Sequence, residues 1–127
     1  MPKTAKDITP QEFQQYLEGA RKRQQARERE LEQRRERALA LAREAADILK
    51  QKYRVDQVVL FGSLTQPDTF TRWSDVDLAA FGLTQENYLK AMSDVAGLDP
   101  EIEVNLVDAG AVKSSLLEHI KSQGRRL

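Results

Sequence analysis

The stretch that organises the chain reads VVLFGS (58–63), LTQPDTFTRW (64–73) and SDVDL (74–78). The first segment is an apolar strand that ends in Gly62-Ser63, the second is a polar loop, and the third begins another strand. Successive side chains of a strand point to opposite faces, so Asp75 and Asp77 project to the same side. The stretch therefore predicts two adjacent carboxylates near a Gly-Ser turn.

This pair of carboxylates predicts a metal–nucleotide site. Two neighbouring carboxylates repel each other, and Mg²⁺ held by one or two carboxylates normally completes its coordination with water and substrate phosphates. Gly62 lets the backbone approach a ligand closely, and Ser63 adds a hydroxyl and an N–H that suit phosphate. We therefore assign Mg²⁺ to Asp75 and Asp77, and the phosphates of a nucleotide to Gly62 and Ser63.

Phe-Gly-Ser at 61–63 and Ser-Asp-Val-Asp-Leu at 74–78 resemble the signature of the polymerase-beta-like nucleotidyltransferase superfamily. The resemblance covers roughly residues 38–127 and is closest to the minimal nucleotidyltransferases, which are often antitoxins paired with HEPN-domain toxins. It implies that the two aspartates hold Mg²⁺ and ATP, and that Gly62, Ser63 and Ser74 contact the nucleotide. It also implies a third carboxylate on a later strand.

The third acidic position departs from the family pattern. The family has an aspartate between apolar residues there, whereas this chain reads VNLV at 104–107. We assign Asn105 to this catalytic position, where its amide can offer a neutral carbonyl to a metal but cannot act as a base. Glu103 lies on the same strand face, about 6.5–7 Å along the strand, and is the candidate substitute carboxylate.

Two functions from different classes fit these residues. The resemblance implies an enzyme that transfers AMP from ATP–Mg²⁺ to a hydroxyl, expected to be a tyrosine, of a HEPN-type toxin and so neutralises it. The alternative is a catalytically impaired or inactive protein of the same fold that acts by binding its partner. Asn105 favours the alternative, whereas the intact Gly-Ser and Asp-x-Asp motifs favour protein adenylyltransferase activity.

The remaining pattern predicts an α/β (α+β) fold: a small mixed β-sheet with helices packed on one side, preceded by a long N-terminal helix. Strands are expected over about 57–61, 75–81 and 101–107, and helices over about 38–52, 84–95 and 112–122. Phe70 and Trp73 are expected to anchor the loop, with contact to the nucleotide base or a partner as the alternative. His119 is expected at the surface.

The chain divides by pattern into a charged helical arm, residues 1–37, and a minimal nucleotidyltransferase domain, residues 38–127. Thr9 and Glu12 form a capping box at the start of the arm. The next apolar residues form a patch that we expect to be buried against another surface: Phe13, Tyr16 and Leu17. The body of the domain, a second copy of the chain and another protein are the alternatives, and we favour a protein contact.

The rest of the arm argues against direct nucleic-acid binding. Residues 21–37 carry eight basic residues against four glutamates, and no aromatic residue lies between Tyr16 and Tyr53 to stack on bases. A solvated helical surface is the simpler interpretation, and a basic surface that grips an RNA or an acidic partner is the alternative.

Composition limits the function classes further. The 127 residues carry no net formal charge and no cysteine, which excludes disulfides, thiolate zinc sites and cysteine nucleophiles. No apolar run approaches the ~20 residues of a membrane span, and no signal segment opens the chain. We therefore expect a cytoplasmic protein without a membrane partner.

Overall fold

The structure is a computed structural model and describes residues 7–127. Each helix described there is too short or too rich in charged residues to cross a lipid bilayer. The elements follow the order α1 Pro10–Lys52, β1 Gln57–Phe61, β2 Val76–Phe81, α2 Gln85–Ala96, β3 Val104–Asp108, α3 Ser114–Gln123 and β4 Arg125–Arg126, with short 3-10 helices at Ser63–Thr65 and Pro67–Thr69.

The chain divides into two compact units, Met1–Gln33 and Arg34–Leu127. The second unit begins slightly before the boundary predicted from the sequence. Arg37, which the sequence analysis places in the arm, pairs with the carboxylate of Asp99 in that unit, with Nη2 2.8 Å from Oδ2. The assignment of an arm to 1–37 and a nucleotidyltransferase domain to 38–127 stays a prediction.

In the first unit, α1 begins at the expected cap. The N–H of Glu12 donates to Oγ1 of Thr9 at 3.1 Å, as a capping hydroxyl does. Phe13, Tyr16 and Leu17 follow on the helix and are 54%, 65% and 44% exposed. The apolar patch predicted from their spacing therefore lies on an exposed surface.

The second unit is built on a four-stranded mixed sheet with the order β3-β2-β1-β4. β1 is antiparallel to β2 and β4, and β2 is parallel to β3, with α2 as the crossover that parallel neighbours need. Thr84 caps α2, since its Oγ1 accepts from the N–H of Asn87 at 3.3 Å. The predicted fold class, mixed sheet and long N-terminal helix are confirmed.

Helix α3 packs on the face of the sheet that carries Val59 and Ala79. Val59 and Ala79 pair across β1 and β2, and they pack with Ile120 of α3. Val58 and Leu60 point to the opposite face and are also buried. Helices α1 and α2 contribute further buried residues to the core. An amphipathic pattern gives the buried stripe of a helix but not the face of the sheet that it covers.

The third and fourth strands, β3 and β4, differ from the sequence prediction. β3 begins at Val104 and not at Glu101, because the Asp99 carboxylate accepts from the N–H groups of Glu101 and Ile102 and holds a turn there. β4 pairs with β1 at the end of the chain, and the sequence analysis does not predict it. Two exposed arginines carry no apolar alternation from which a strand could be recognised.

Candidate active site

The sheet brings the Gly-Ser turn, Asp77 and Asn105 together. Asp77 is opposite Phe61 of β1 on one side and Asn105 of β3 on the other. Residues paired across neighbouring strands share a face, so Asp77 and Asn105 project together. Gly62 and Ser63 follow Phe61 directly, and their turn therefore lies at the same end of the sheet.

Gly62 packs closely against Asp77. Its φ of 80° lies in the region that side-chain-bearing residues rarely adopt, and a Cβ built there would overlap Oδ2 of Asp77. A glycine is therefore required both by the backbone conformation and by the neighbouring carboxylate. This packing places the backbone of the turn directly beside one carboxylate oxygen.

The half-buried Asp77 carboxyl has a raised pKa. Burial is the main cause, and the negative charge of Asp75 raises the pKa further, while a hydrogen bond from Asn105 lowers it. That bond joins Nδ2 of Asn105 to Oδ1 of Asp77 at 3.3 Å. Within residues 7–127, no basic side chain pairs with either aspartate. A cation between the two carboxylates would relieve this unfavourable charge.

The donor set fits one hard divalent cation. Among the residues that the structure describes, no group of three or more histidine, cysteine, aspartate or glutamate side chains is arranged to hold a metal. Mg²⁺ needs only one or two carboxylates when water and phosphates supply the other ligands. Asp75 and Asp77 can therefore hold Mg²⁺ together with a nucleotide.

Asp75 and Glu103 lie side by side at the edge of the site. Asp75 directly precedes β2, which begins at Val76 and not at Asp75 as the sequence suggested. The N–H of Val76 donates to the backbone oxygen of Glu103 at 2.9 Å. The side chain of Glu103 is exposed, and Glu103 directly precedes β3, two residues before Asn105.

The loop after Gly62 is held by its own hydroxyl groups. Oγ1 of Thr65 donates to the backbone oxygen of Gly62 at 2.7 Å, and Oγ1 of Thr69 donates to that of Ser63 at 2.8 Å. Oγ of Ser74 accepts from the N–H of Thr71 at 2.9 Å. The Ser74 hydroxyl, predicted to contact the nucleotide, thus also supports the turn that leads to Asp75.

The two large aromatic residues of the loop behave differently. Phe70 is buried and anchors the loop, as expected. Trp73 is 76% exposed, with the guanidinium carbon of Arg72 4.6 Å from its ring centroid, so the expectation that it anchors the loop is wrong. Trp73 lies two residues before Asp75. The remaining prediction for its side chain is therefore contact with a nucleotide base or with a partner.

A cleft of about 530 Å³, which we call the α3 cleft, lies beside the Gly-Ser turn. Gly62 and Ser63 line one wall, and His119 and Gln123 of α3 line another. His119 is exposed, as predicted, but the sequence analysis gave it no role in the site. The i, i+4 spacing of His119 and Gln123 indicates a shared helix face, although it does not reveal the element that they face.

The sequence model of the family described as polymerase beta, nucleotidyltransferase matches residues 43–127. The chain belongs to this nucleotidyltransferase family. The matched region contains the Gly-Ser turn, both aspartates and Asn105, so the nucleotidyltransferase fold expected from the motifs is confirmed.

A known structure has a similar fold. One similar structure is a crystal structure of a toxin–antitoxin with AMP-PNP, which is 24% identical in sequence and has a TM-score of 0.54. The match covers 65% of this nucleotidyltransferase and 69% of that chain. No curated protein sequence matches the chain.

Proposed function

We propose that this chain is a minimal nucleotidyltransferase of the antitoxin type. It transfers AMP from ATP–Mg²⁺ to a hydroxyl, a tyrosine by expectation, of a HEPN-type toxin in the cytoplasm and thereby neutralises the toxin. The observation that carries the proposal is the packing of Gly62 against Asp77 in a chain of this family. The fold likeness to a toxin–antitoxin structure with AMP-PNP supports the choice of an adenine nucleotide and a toxin partner.

The chemistry requires alignment and charge compensation from the protein. The acceptor oxygen forms a bond to the α-phosphorus of ATP, the bond from that phosphorus to the bridging oxygen of the β-phosphate breaks, and pyrophosphate leaves. Mg²⁺ at Asp75 and Asp77 would compensate the charge of the phosphates and favour ionisation of the hydroxyl. The hydroxyl proton passes to a carboxylate or to water, because the amide of Asn105 cannot accept it.

The Gly-Ser turn positions the phosphates in this scheme. Gly62 and Ser63 lie next to Asp77, so phosphate oxygens bound at the turn can also reach a cation at that carboxylate. Holding the donor and the acceptor in one orientation removes most of the entropic barrier to their reaction. Ser74 contributes by fixing the turn before Asp75.

A second candidate function is neutralisation by binding alone. The observation that favours it is the hydrogen bond from Asn105 to Asp77, which places an amide where the family pattern has an acid. In that case the nucleotide is a structural ligand. Glu103 directly precedes β3, two residues before Asn105, and the enzyme is favoured over the binding protein if Glu103 supplies the missing carboxylate.

The exposed patch of Phe13, Tyr16 and Leu17 is the surface that we propose for the toxin. Aromatic side chains dominate the energetics of protein interfaces, and two of these three residues are aromatic. A second copy of the chain is the competing occupant, and the oligomeric state of the chain without its toxin separates the two.

ATP labelled on the α-phosphate tests the proposal. The chain is mixed with Mg²⁺ and its co-purified toxin, beside the variants Asp77→Asn and Asn105→Asp. Transfer of label to protein by the unaltered chain, lost in Asp77→Asn, supports the enzyme, and Glu103→Gln then tests the substitute carboxylate. If only Asn105→Asp transfers label, the unaltered chain is a binding protein. If neither the unaltered chain nor Asn105→Asp transfers label, the enzyme proposal is contradicted.

A further inference from the structure

We infer that the α3 cleft binds the terminal phosphates of the nucleotide, with His119 and Gln123 as donors from the helix. The inference rests on the proposed function and deepens it, because it names residues that would distinguish a nucleoside triphosphate from a monophosphate.

The loop wall of the cleft suits an anion. The backbone oxygen of Gly62 already accepts from N–H and Oγ1 of Thr65, at 3.2 and 2.7 Å. The backbone oxygen of Ser63 accepts from N–H of Gln66 at 3.4 Å and from Oγ1 of Thr69 at 2.8 Å. No aspartate or glutamate among the described residues lines the cleft. The acceptors of the turn are thus paired within the loop, and the Ser63 hydroxyl is left as a donor.

The helix wall adds two side-chain donors. His119 and Gln123 lie four residues apart on α3 and therefore share a face. Ile120 beside them is fully buried, which fixes the helix against the sheet. Within residues 7–127, neither the imidazole of His119 nor the amide of Gln123 has a hydrogen-bond partner. Both groups can therefore donate an N–H to a ligand in the cleft.

The cleft and the proposed metal site share one residue, Gly62. Gly62 lines the cleft and also packs against Asp77. An anion bound beside Asp77 would enter the cleft if it extended across Gly62. A triphosphate is a chain of charged groups that can extend in this way, whereas a single phosphate would end at the metal.

The test compares the affinities of three ligands in the presence of Mg²⁺: a non-hydrolysable ATP analogue, AMP and inorganic tripolyphosphate. They are titrated into the intact chain and into His119→Ala, His119→Gln and Glu118→Gln. Glu118 is the matched control, because it lies beside His119 but lines a different surface depression. Thermal unfolding of each variant checks that α3 is still folded.

We expect His119→Ala to weaken binding of the ATP analogue and of tripolyphosphate about 10-fold, as the loss of one hydrogen bond to a charged group does. Binding of AMP should change by less than about two-fold, which is under 0.5 kcal/mol on the same scale. His119→Gln keeps an N–H donor and should recover part of the loss. Glu118→Gln should bind all three ligands like the intact chain.

The outcomes for the cleft and for the proposed function are separable. Equal weakening of AMP and ATP-analogue binding, or no weakening of either, overturns the role of His119. Nucleotide binding that needs Asp77 but not His119 overturns this inference alone. Binding that needs His119 in a chain that transfers no label supports the cleft and contradicts the transfer. If the intact chain binds no nucleotide with Mg²⁺, both are overturned.

Discussion

Nδ2 of Asn105 donates a hydrogen bond to Oδ1 of Asp77 across two parallel strands, at 3.3 Å. The hydrogen bond from the amide lowers the pKa of the Asp77 carboxyl, whereas burial and the charge of Asp75 raise it. It stabilises the ionised form of Asp77, which is the form that binds a cation. We therefore expect a site that holds one Mg²⁺ with its nucleotide.

The variant Asn105→Asp should make stability depend more strongly on Mg²⁺. Without Mg²⁺ the free energy of unfolding of this variant should fall by about 1–2 kcal/mol, because a hydrogen bond is replaced by repulsion between carboxylates. Saturating Mg²⁺ should restore most of the loss, since the added acid is a further ligand. Thermal unfolding across a Mg²⁺ titration measures both effects.

Asn105→Ala is the control for this prediction. It removes the same hydrogen bond but adds no charge, so it should lose stability without gaining a response to Mg²⁺. An identical response of the aspartate variant and the intact chain to Mg²⁺ would contradict the one-metal account of the site.

The variant Gly62→Ala should lose both stability and nucleotide binding. The backbone conformation of Gly62, with φ 80° and ψ −159°, alone costs about 1–3 kcal/mol for a residue with a Cβ. The added methyl group also displaces the carboxylate of Asp77. Gly97→Ala is the matched control, since Gly97 has a φ of −100° and no heavy atom lies within 4 Å of the position that its added methyl group would take. The melting temperatures of the two variants, each with and without Mg²⁺ and ATP, measure both effects. Equal melting temperatures of the two variants under both conditions would contradict the packing of Gly62 against Asp77.

The turn before β3 should contribute stability that is lost in acid. Burial alone would raise the pKa of the Asp99 carboxyl, but hydrogen bonds from the N–H groups of Glu101 and Ile102 and from Arg37 outweigh it, so the pKa is lowered. A lowered pKa means that the unfolded chain binds the proton more tightly. The contribution is therefore complete above the unfolded pKa of about 3.9 and disappears as the pH falls through the folded value.

Asp99→Asn tests this dependence. At neutral pH the variant should melt a few degrees lower than the intact chain, and the difference should shrink as the pH falls below about 4. Asp68→Asn, at an exposed position of the loop, should follow the intact chain throughout. A melting difference for Asp99→Asn that does not change between neutral and acid pH would exclude the proposed linkage.

Replacing Phe13, Tyr16 and Leu17 together by alanine should weaken toxin binding and spare nucleotide binding. Buried aromatic residues at an interface each contribute about 1–2 kcal/mol or more, so the triple variant should lose at least about 100-fold in affinity. Co-purification and titration with the toxin measure the loss. Gln14→Ala with Gln15→Ala, two exposed residues of the same helix, is the control, and equal toxin binding by both variants would remove the patch from the interface.

Local patterns predicted much of the fold because their causes are local. The apolar run of β1 and the capping box of Thr9 act within a few residues, and each appears where the sequence indicates. The motifs around Gly62 and Asp77 also gave the family. In contrast, the start of β3 depends on the side chain of Asp99, which takes two backbone donors away from the strand.

The features that the sequence did not reveal depend on distant contacts. β4 is a strand only because it pairs with β1, and its two arginines have no strand pattern of their own. His119 joins the cleft because α3 packs beside the turn that follows β1. The exposure of Trp73 was also not evident from the sequence. The spacing of the aromatic residues does not show which of them the loop buries.

The most direct test of the account is the affinity of ATP for the intact chain and for Asp77→Asn, each measured with Mg²⁺ and with a chelator. The central claim is that Asp75 and Asp77, beside the Gly62-Ser63 turn, hold Mg²⁺ with the nucleotide. We predict Mg²⁺-dependent binding by the intact chain, weakened by roughly 100-fold or about 3 kcal/mol in Asp77→Asn. Equal ATP affinity of the two chains, or binding that is indifferent to Mg²⁺, would contradict the claim.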